Sequence, residues 1–133
     1  MKTSDLIIIG AGPGGYEMAV EAAARGLNVT IFEEKHAGGT CLNEGCIPTK
    51  VLCRNAEVAA TVRDASYFGI ITEGAMSINM DAIQARRREV IDGLRAGVEG
   101  LLGDKGITFI AGHAEFRAPH VVTSGGEEYT APH

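Results

Sequence analysis

The glycine turn Gly10-Ala11-Gly12-Pro13-Gly14-Gly15 constrains this chain more than any other feature. It follows Leu6-Ile7-Ile8-Ile9, a continuous apolar run of the kind a strand buried on both faces requires. Beyond it, Tyr16 to Arg25 is rich in alanine and glutamate and predicts a helix, which Gly26 stops. Val29-Thr30-Ile31-Phe32 is a β-branched second strand closed by Glu33 and Glu34. Strand, glycine turn, helix and strand within about thirty residues make a βαβ unit, whose crossover is right-handed.

Glycine is abundant, 18 of 133 residues, or about twice the usual ~7 %. A glycine-rich turn alone therefore says little. Its place between strand and helix, with the Glu33 carboxylate at the end of the next strand, is what selects a dinucleotide site. Gly10 allows the tight turn, Gly12 lets a pyrophosphate approach the backbone, and Gly15 lets helix pack close on strand. The helix N-terminus adds unpaired N–H groups and a positive dipole end, and Glu33 accepts hydrogen bonds from a ribose. The competing reading is a loop in an unrelated α/β fold, with Glu33 a surface charge.

The rest of the chain continues the α/β pattern. The segment 38–64 becomes helical after Pro48, and residues 66–79 read as loop. Ile83, Val90, Ile91, Leu94, Val98, Leu101 and Leu102 recur at helical spacing over about 81–102. The Arg86-Arg87-Arg88 run is read as the solvated face of that helix. A third buried strand follows at 107–111, then small strands near 114–116, 121–123 and 127–130, separated by Pro119-His120 and Gly125-Gly126 turns.

A net charge of −5 argues against a nucleic-acid partner, which needs a basic face. No apolar run approaches the roughly 18–20 residues of a membrane span, and Asp5 and Gly10 interrupt the short N-terminal one. Three cysteines without a leader suggest a cytoplasmic chain.

Cys41 and Cys46 are separated by Leu42-Asn43-Glu44-Gly45. In a regular helix, residues five apart have Cα atoms roughly 8–9 Å apart, whereas a disulfide needs about 7 Å or less. A bond between them thus requires an irregular turn around Gly45, before the helix proper. So short a loop stabilises a fold by only roughly 2 kcal/mol, which suits a bridge that opens and closes better than a structural one. The helix beyond favours a thiolate at Cys46. Three readings fit: a zinc site, for which His36 and Cys53 complete no familiar pattern; two free buried thiols; or a redox dithiol beside a flavin. The last is the sharpest. Cys53, among Val51, Leu52, Arg54 and Asn55, is read as a packing residue.

The stretch Gly39 to Lys50, GTCLNEGCIPTK, resembles the redox motif of the flavin-dependent pyridine nucleotide–disulfide oxidoreductases. Asp5 to Tyr16, DLIIIGAGPGGY, looks the same way, and Gly112-His113-Ala114 resembles a family turn that touches adenine. The Leu42-Asn43 and Ile47-Pro48 pairs are closer to the lipoamide branch than to the glutathione or mercuric reductase types. The resemblance implies a Rossmann-like three-layer α/β fold, with a parallel sheet and a small antiparallel β-meander. It also implies FAD as dinucleotide, NAD as final acceptor and a homodimer. The substrate it implies is dihydrolipoamide on a carrier protein of a 2-oxoacid dehydrogenase or glycine cleavage complex.

Carried onto this chain, the resemblance makes Cys41 the interchange thiol and Cys46 the thiol that exchanges electrons with the flavin. Lys50 stabilises charge on the reduced ring, and Gly10, Gly12, Gly14, Gly15, Glu33, Thr40 and Ala114 form the FAD bed. Two residues depart from the pattern: Glu44, whose carboxylate between the cysteines would raise their pKa, and Thr49 in place of a common serine.

Family chains are several times longer. Residues 1–133 are accordingly expected to be the N-terminal part of an FAD-binding domain, incomplete at the C-terminus, with the NAD-binding and interface domains absent. Such a piece is not expected to turn over alone, and serves at least as a nucleotide-binding module. Its first strand, lacking a neighbour, is expected to pair with another copy.

Overall fold

A computed structural model describes all residues, 1–133. Its elements are β1 (Lys2–Thr3), β2 (Leu6–Ile9), α1 (Pro13–Ala24), β3 (Val29–Glu33), α2 (Gly39–Asn43), α3 (Cys46–Arg63), a short 3-10 turn (Ala65–Phe68) and α4 (Met80–Leu102). They continue with β4 (Ile107–Ala111), β5 (Glu115–Ala118), β6 (Val121–Ser124) and β7 (Glu127–Thr130). The chain is therefore α/β with a parallel sheet and an antiparallel meander, as the sequence implies.

The parallel sheet has the order β2-β3-β4, so β3 lies in the middle. Four of its five residues, Val29 to Phe32, are buried, which is why that segment reads as an unbroken apolar and β-branched run. Ile31 faces a core of Ala11, Ala19, Ala22, Leu42, Ile91, Val98 and Leu102, built mainly by the helices. Phe32 faces the opposite way, against Val122 and Tyr129 of the meander, meeting the Tyr129 ring edge-on at 5.0 Å between centroids. Helices, parallel sheet and meander thus form three layers, with β3 supplying fully buried residues to both cores.

Helix α1 begins at Pro13, three residues before the sequence suggested, because a proline at the first helical position loses no hydrogen bond. Helix α4 begins at Met80, where the Asn79 side chain accepts from the Ala82 N–H at 3.0 Å. Two elements escape periodicity altogether. Strand β1 is two residues long and pairs parallel with β7. Helix α2 is five residues long, less than the window in which helical spacing shows.

Two other expectations are corrected. Cys53 is exposed rather than packed. Arg86 and Arg88 are exposed, but Arg87 is half-buried and its Nε has no hydrogen-bond partner, so the arginine run is not uniformly a solvated face. The β2 edge is also less open than a bare edge strand, because the Ile7 N–H donates to the His133 carbonyl at 3.0 Å. No helix is long and apolar enough to cross a membrane.

Candidate active site

The glycine turn is built as its spacing demands. Gly10 has φ +100°, a region that disfavours side chains, and its N–H donates to the Phe32 carbonyl at 2.7 Å. A methyl group on Gly15 would lie 1.9 Å from the Gly10 carbonyl oxygen, so α1 crosses β2 with no room for a Cβ. Gly14 differs: a Cβ there meets nothing within 4 Å. The protein itself gives Gly14 no reason to be glycine, so the open ground above it suits a ligand's approach. No side chain caps the α1 N-terminus and no acidic residue lies in its first turn, which leaves its positive end unneutralised.

Glu33 ends β3 with its carboxylate already anchored. Oε2 accepts from the Ala11 N–H at 2.9 Å and Oε1 from the Lys35 N–H at 2.9 Å. An ionised carboxylate has about four acceptor sites, so two remain for hydroxyl donors. The Ala11 bond ties the glycine turn to β3, a structural duty invisible in the motif. The Gly112 N–H donates to the Glu33 carbonyl at 2.8 Å and brings the 112–114 turn alongside. Ile9, Gly10, Phe32, Glu33, Glu34, Gly112, His113 and Ala114 line one cleft of about 220 Å³. At its mouth His113 Nδ1 and a Glu34 carboxylate oxygen are 2.9 Å apart. A larger apolar groove near Ile7, Ile9 and Phe116 contains none of the glycine-turn or cysteine residues.

The cysteines sit where the chain breaks between two helices. Cys41 is in α2 and half-buried; Cys46 is exposed and is the first residue of α3. The break falls at Glu44-Gly45, with Gly45 at φ −119° and ψ −97°, where the disulfide argument required an irregular turn. Both thiols are free, and the Cys46 side chain lies near enough to Cys41 to act on its titration.

The Cys41 thiol is raised above its usual pKa, first by its interaction with the Cys46 side chain and then by partial burial and the charge of Cys46. The Cys46 backbone, and after it Lys50 one turn into α3, pull it the other way. Glu44 is not among the causes, so the rise expected from its carboxylate comes from elsewhere. Thr49 spends its hydroxyl on the Gly45 carbonyl at 2.7 Å, a bond serine would make equally. Thr40 is exposed in the first turn of α2.

The loop carrying Cys41 is fastened directly onto the glycine turn. The Gly38 N–H donates to the Ala11 carbonyl at 2.8 Å. Gly39, at φ +64°, lies so close that a Cβ would stand 2.7 Å from Gly12 Cα. Leu42 is buried in the helix-side core and anchors α2 from below. Gly10, Gly12, Gly14, Gly15, Glu33, Thr40, Cys41, Cys46, Lys50 and Ala114 thus come from segments meeting at the C-terminal edge of the parallel sheet, where open α/β sheets bind ligands. Cys53 and the Arg86–Arg88 run have no part in this arrangement. No group of three or more His, Cys, Asp or Glu side chains is placed to hold a metal ion. Sequence reasoning missed Asn43, whose carboxamide bridges the Ala37 and Gly39 carbonyls, and Arg95, which binds it from α4; no local pattern links positions so far apart.

Fold and site together define an α/β nucleotide-binding domain carrying a close dithiol at its nucleotide edge. Residues 4–133 match the family described as pyridine nucleotide-disulphide oxidoreductase, and the chain belongs to that family. Among its relatives is the dihydrolipoyl dehydrogenase of Chlamydia trachomatis, 44% identical over 92% of this chain and 26% of the relative. The protein of that name from Bacillus subtilis is 42% identical over 88% of this chain and 24% of the relative. That from Thermus scotoductus is 40% identical over 98% of this chain and 28% of the relative. The chain spans about a quarter of the length of these relatives.

Proposed function

We propose that this chain is the FAD-binding and redox-disulfide portion of an enzyme that oxidises dihydrolipoamide to lipoamide. The observation that carries the reading is the fastening of Gly38 and Gly39 onto Ala11 and Gly12, because it joins the Cys41–Cys46 pair to the nucleotide turn. The residues present fit a dinucleotide. Open ground lies above Gly14, the α1 N-terminus is uncapped, Glu33 has spare acceptor sites, and a cleft joins Gly10, Glu33 and Ala114. FAD, when bound, supplies a two-electron acceptor that relays to NAD.

In the disulfide state, one thiolate of the substrate dithiol attacks the Cys41 sulfur. A mixed disulfide forms and Cys46 leaves as a thiolate. The second substrate thiolate then attacks its own disulfide-bonded sulfur, closing the lipoamide ring and releasing the Cys41 thiolate. Two electrons have passed to the Cys41–Cys46 pair, and Cys46, at the exposed start of α3, is the thiol placed to pass them on. Lys50 lowers the pKa of Cys41 and so favours its release as an anion. Glu33 and the 112–114 turn hold the adenosine end, while Gly12, Gly14 and Thr40 face the diphosphate.

In the proposed parent enzyme the partners are a lipoamide-bearing carrier protein and a second copy of the subunit. The NAD-binding and interface functions belong to domains beyond these residues. The test is to oxidise the chain, add excess dihydrolipoamide and map each cysteine by differential alkylation. The reading requires Cys41 and Cys46 to be reduced together, with one lipoamide formed per chain and Cys53 unchanged. A bond involving Cys53, or no bond between Cys41 and Cys46, overturns it.

A further inference from the structure

The dithiol loop has one attachment that the nucleotide reading does not use. Asn43 is the last residue of α2, and both polar atoms of its carboxamide are engaged. Both hydrogens of Nδ2 are donated, to the Ala37 carbonyl at 3.0 Å and the Gly39 carbonyl at 2.9 Å. Its Oδ1 accepts from Arg95 Nε at 2.8 Å, across from α4. The Arg95 side chain is 25% exposed, and its Nη1 is held by Asp92 at 3.2 Å. A single orientation of the carboxamide satisfies all three neighbours. Turned over, its NH₂ would face a guanidinium and its oxygen two carbonyls.

The loop needs such a fastening. Helix α2 has five residues and no side-chain cap. It opens on Gly39 at φ +64° and is flanked by Gly38 at φ +93° and the irregular Gly45, the residue type with most conformational freedom to lose. Buried Leu42 fixes one side of α2. On the other side, Asn43 locks the carbonyls of the two residues that frame the approach to Thr40 and Cys41, and Arg95 locks Asn43.

We propose that Arg95 is a positioning residue for the Cys41–Cys46 pair, acting through Asn43 to hold Cys41 within reach of Cys46. The proposal rests on reading that pair as a redox dithiol. Closing the pair with oxidised glutathione converts two thiols to one disulfide and yields two reduced glutathiones. The equilibrium constant therefore measures the effective concentration of one cysteine at the other.

The experiment measures that constant in glutathione buffers, with peptide-resolved alkylation separating Cys41 and Cys46 from Cys53. Arg95→Met keeps the side chain's stem and removes its donors; its constant falls at least about fivefold, an effective-concentration effect. Asn43→Ala lowers it similarly, and the double variant no further, because both act on one linkage. Arg95→Lys, the milder change, recovers part of the loss and keeps the test open if Arg95→Met does not fold. An unchanged constant in Arg95→Met, or additive losses in the double variant, overturns the proposal even if melting temperatures fall.

Amide exchange over 39–45 is measured alongside. If the parent pair never closes, the redox reading under Proposed function fails, and exchange alone decides the clamp. Faster exchange in Arg95→Met upholds it, and unchanged exchange overturns it.

Discussion

Replacing Gly15 and Gly14 by alanine, one at a time, separates the two duties of the glycine turn. On Gly15 the new methyl group falls 1.9 Å from the Gly10 carbonyl oxygen and 3.4 Å from Ile8 Cγ2. Neither backbone can yield without lifting α1 off β2. Overpacking of this kind costs about 3 kcal/mol. At roughly 3–5 °C per kcal/mol for a chain of this size, the melting temperature falls by about 9–15 °C. On Gly14 the methyl group enters empty space inside α1, and alanine's helix propensity stabilises by about 0.5 kcal/mol.

Yet Gly14→Ala fills the ground over which a diphosphate would lie. FAD binding therefore weakens at least about tenfold, or about 1.4 kcal/mol. Thermal melts followed by circular dichroism give the first quantity, and FAD titration by flavin fluorescence gives the second. A Gly14→Ala chain that binds FAD as tightly as the parent would show that the diphosphate does not lie there. A Gly15→Ala chain as stable as the parent would refute the packing argument.

Lys50→Met removes the charge that draws the Cys41 pKa down; the pH midpoint of Cys41 alkylation moves upward, and an unmoved midpoint contradicts the assigned role. Glu33→Ala deprives the Ala11 and Lys35 N–H groups of their acceptor; it lowers stability by about 1–3 kcal/mol in urea titrations and also weakens FAD binding. Glu127 is held below its usual pKa of 4.5, first by the hydrogen bond from Lys2 and then by that from Tyr129. Its stabilising contribution is complete above that value and is lost as pH falls through the lowered one. The protection factors of the β1 and β7 amides, taken against the free-chain rate at the same pH, therefore fall selectively in acid, and Lys2→Met reduces that fall.

Much of this arrangement is legible in the residues because it is local. An apolar run, a glycine turn and a terminal carboxylate give β2, α1 and β3 from backbone sterics and burial alone. An irregular turn at Gly45 is what pairing Cys41 with Cys46 would require, and the chain does break there. The missing parts are those that distant segments decide. Arg95 and Asn43 meet only once α4 lies against α2, and Glu33 reaches Ala11 only because β3 lies beside β2. Cys53 looked apolar beside Val51 and Leu52, yet it lies on an outer face of α3. Arg87 turns inward although its neighbours Arg86 and Arg88 face solvent. Helical period predicts that a face exists, while the packing partner determines which residues line it.

Under the proposed function, one site holds both a flavin dinucleotide and the Cys41–Cys46 pair. The most direct measurement is titration of the isotope-labelled chain with FAD, followed through its backbone amide spectrum. The expected result is saturation at one flavin per chain, with the shifts concentrated on Gly10–Gly15, Glu33, Thr40–Cys46 and Gly112–Ala114. Shifts that spare the cysteine loop, or that cluster instead around the apolar groove at Ile9 and Phe116, would contradict it.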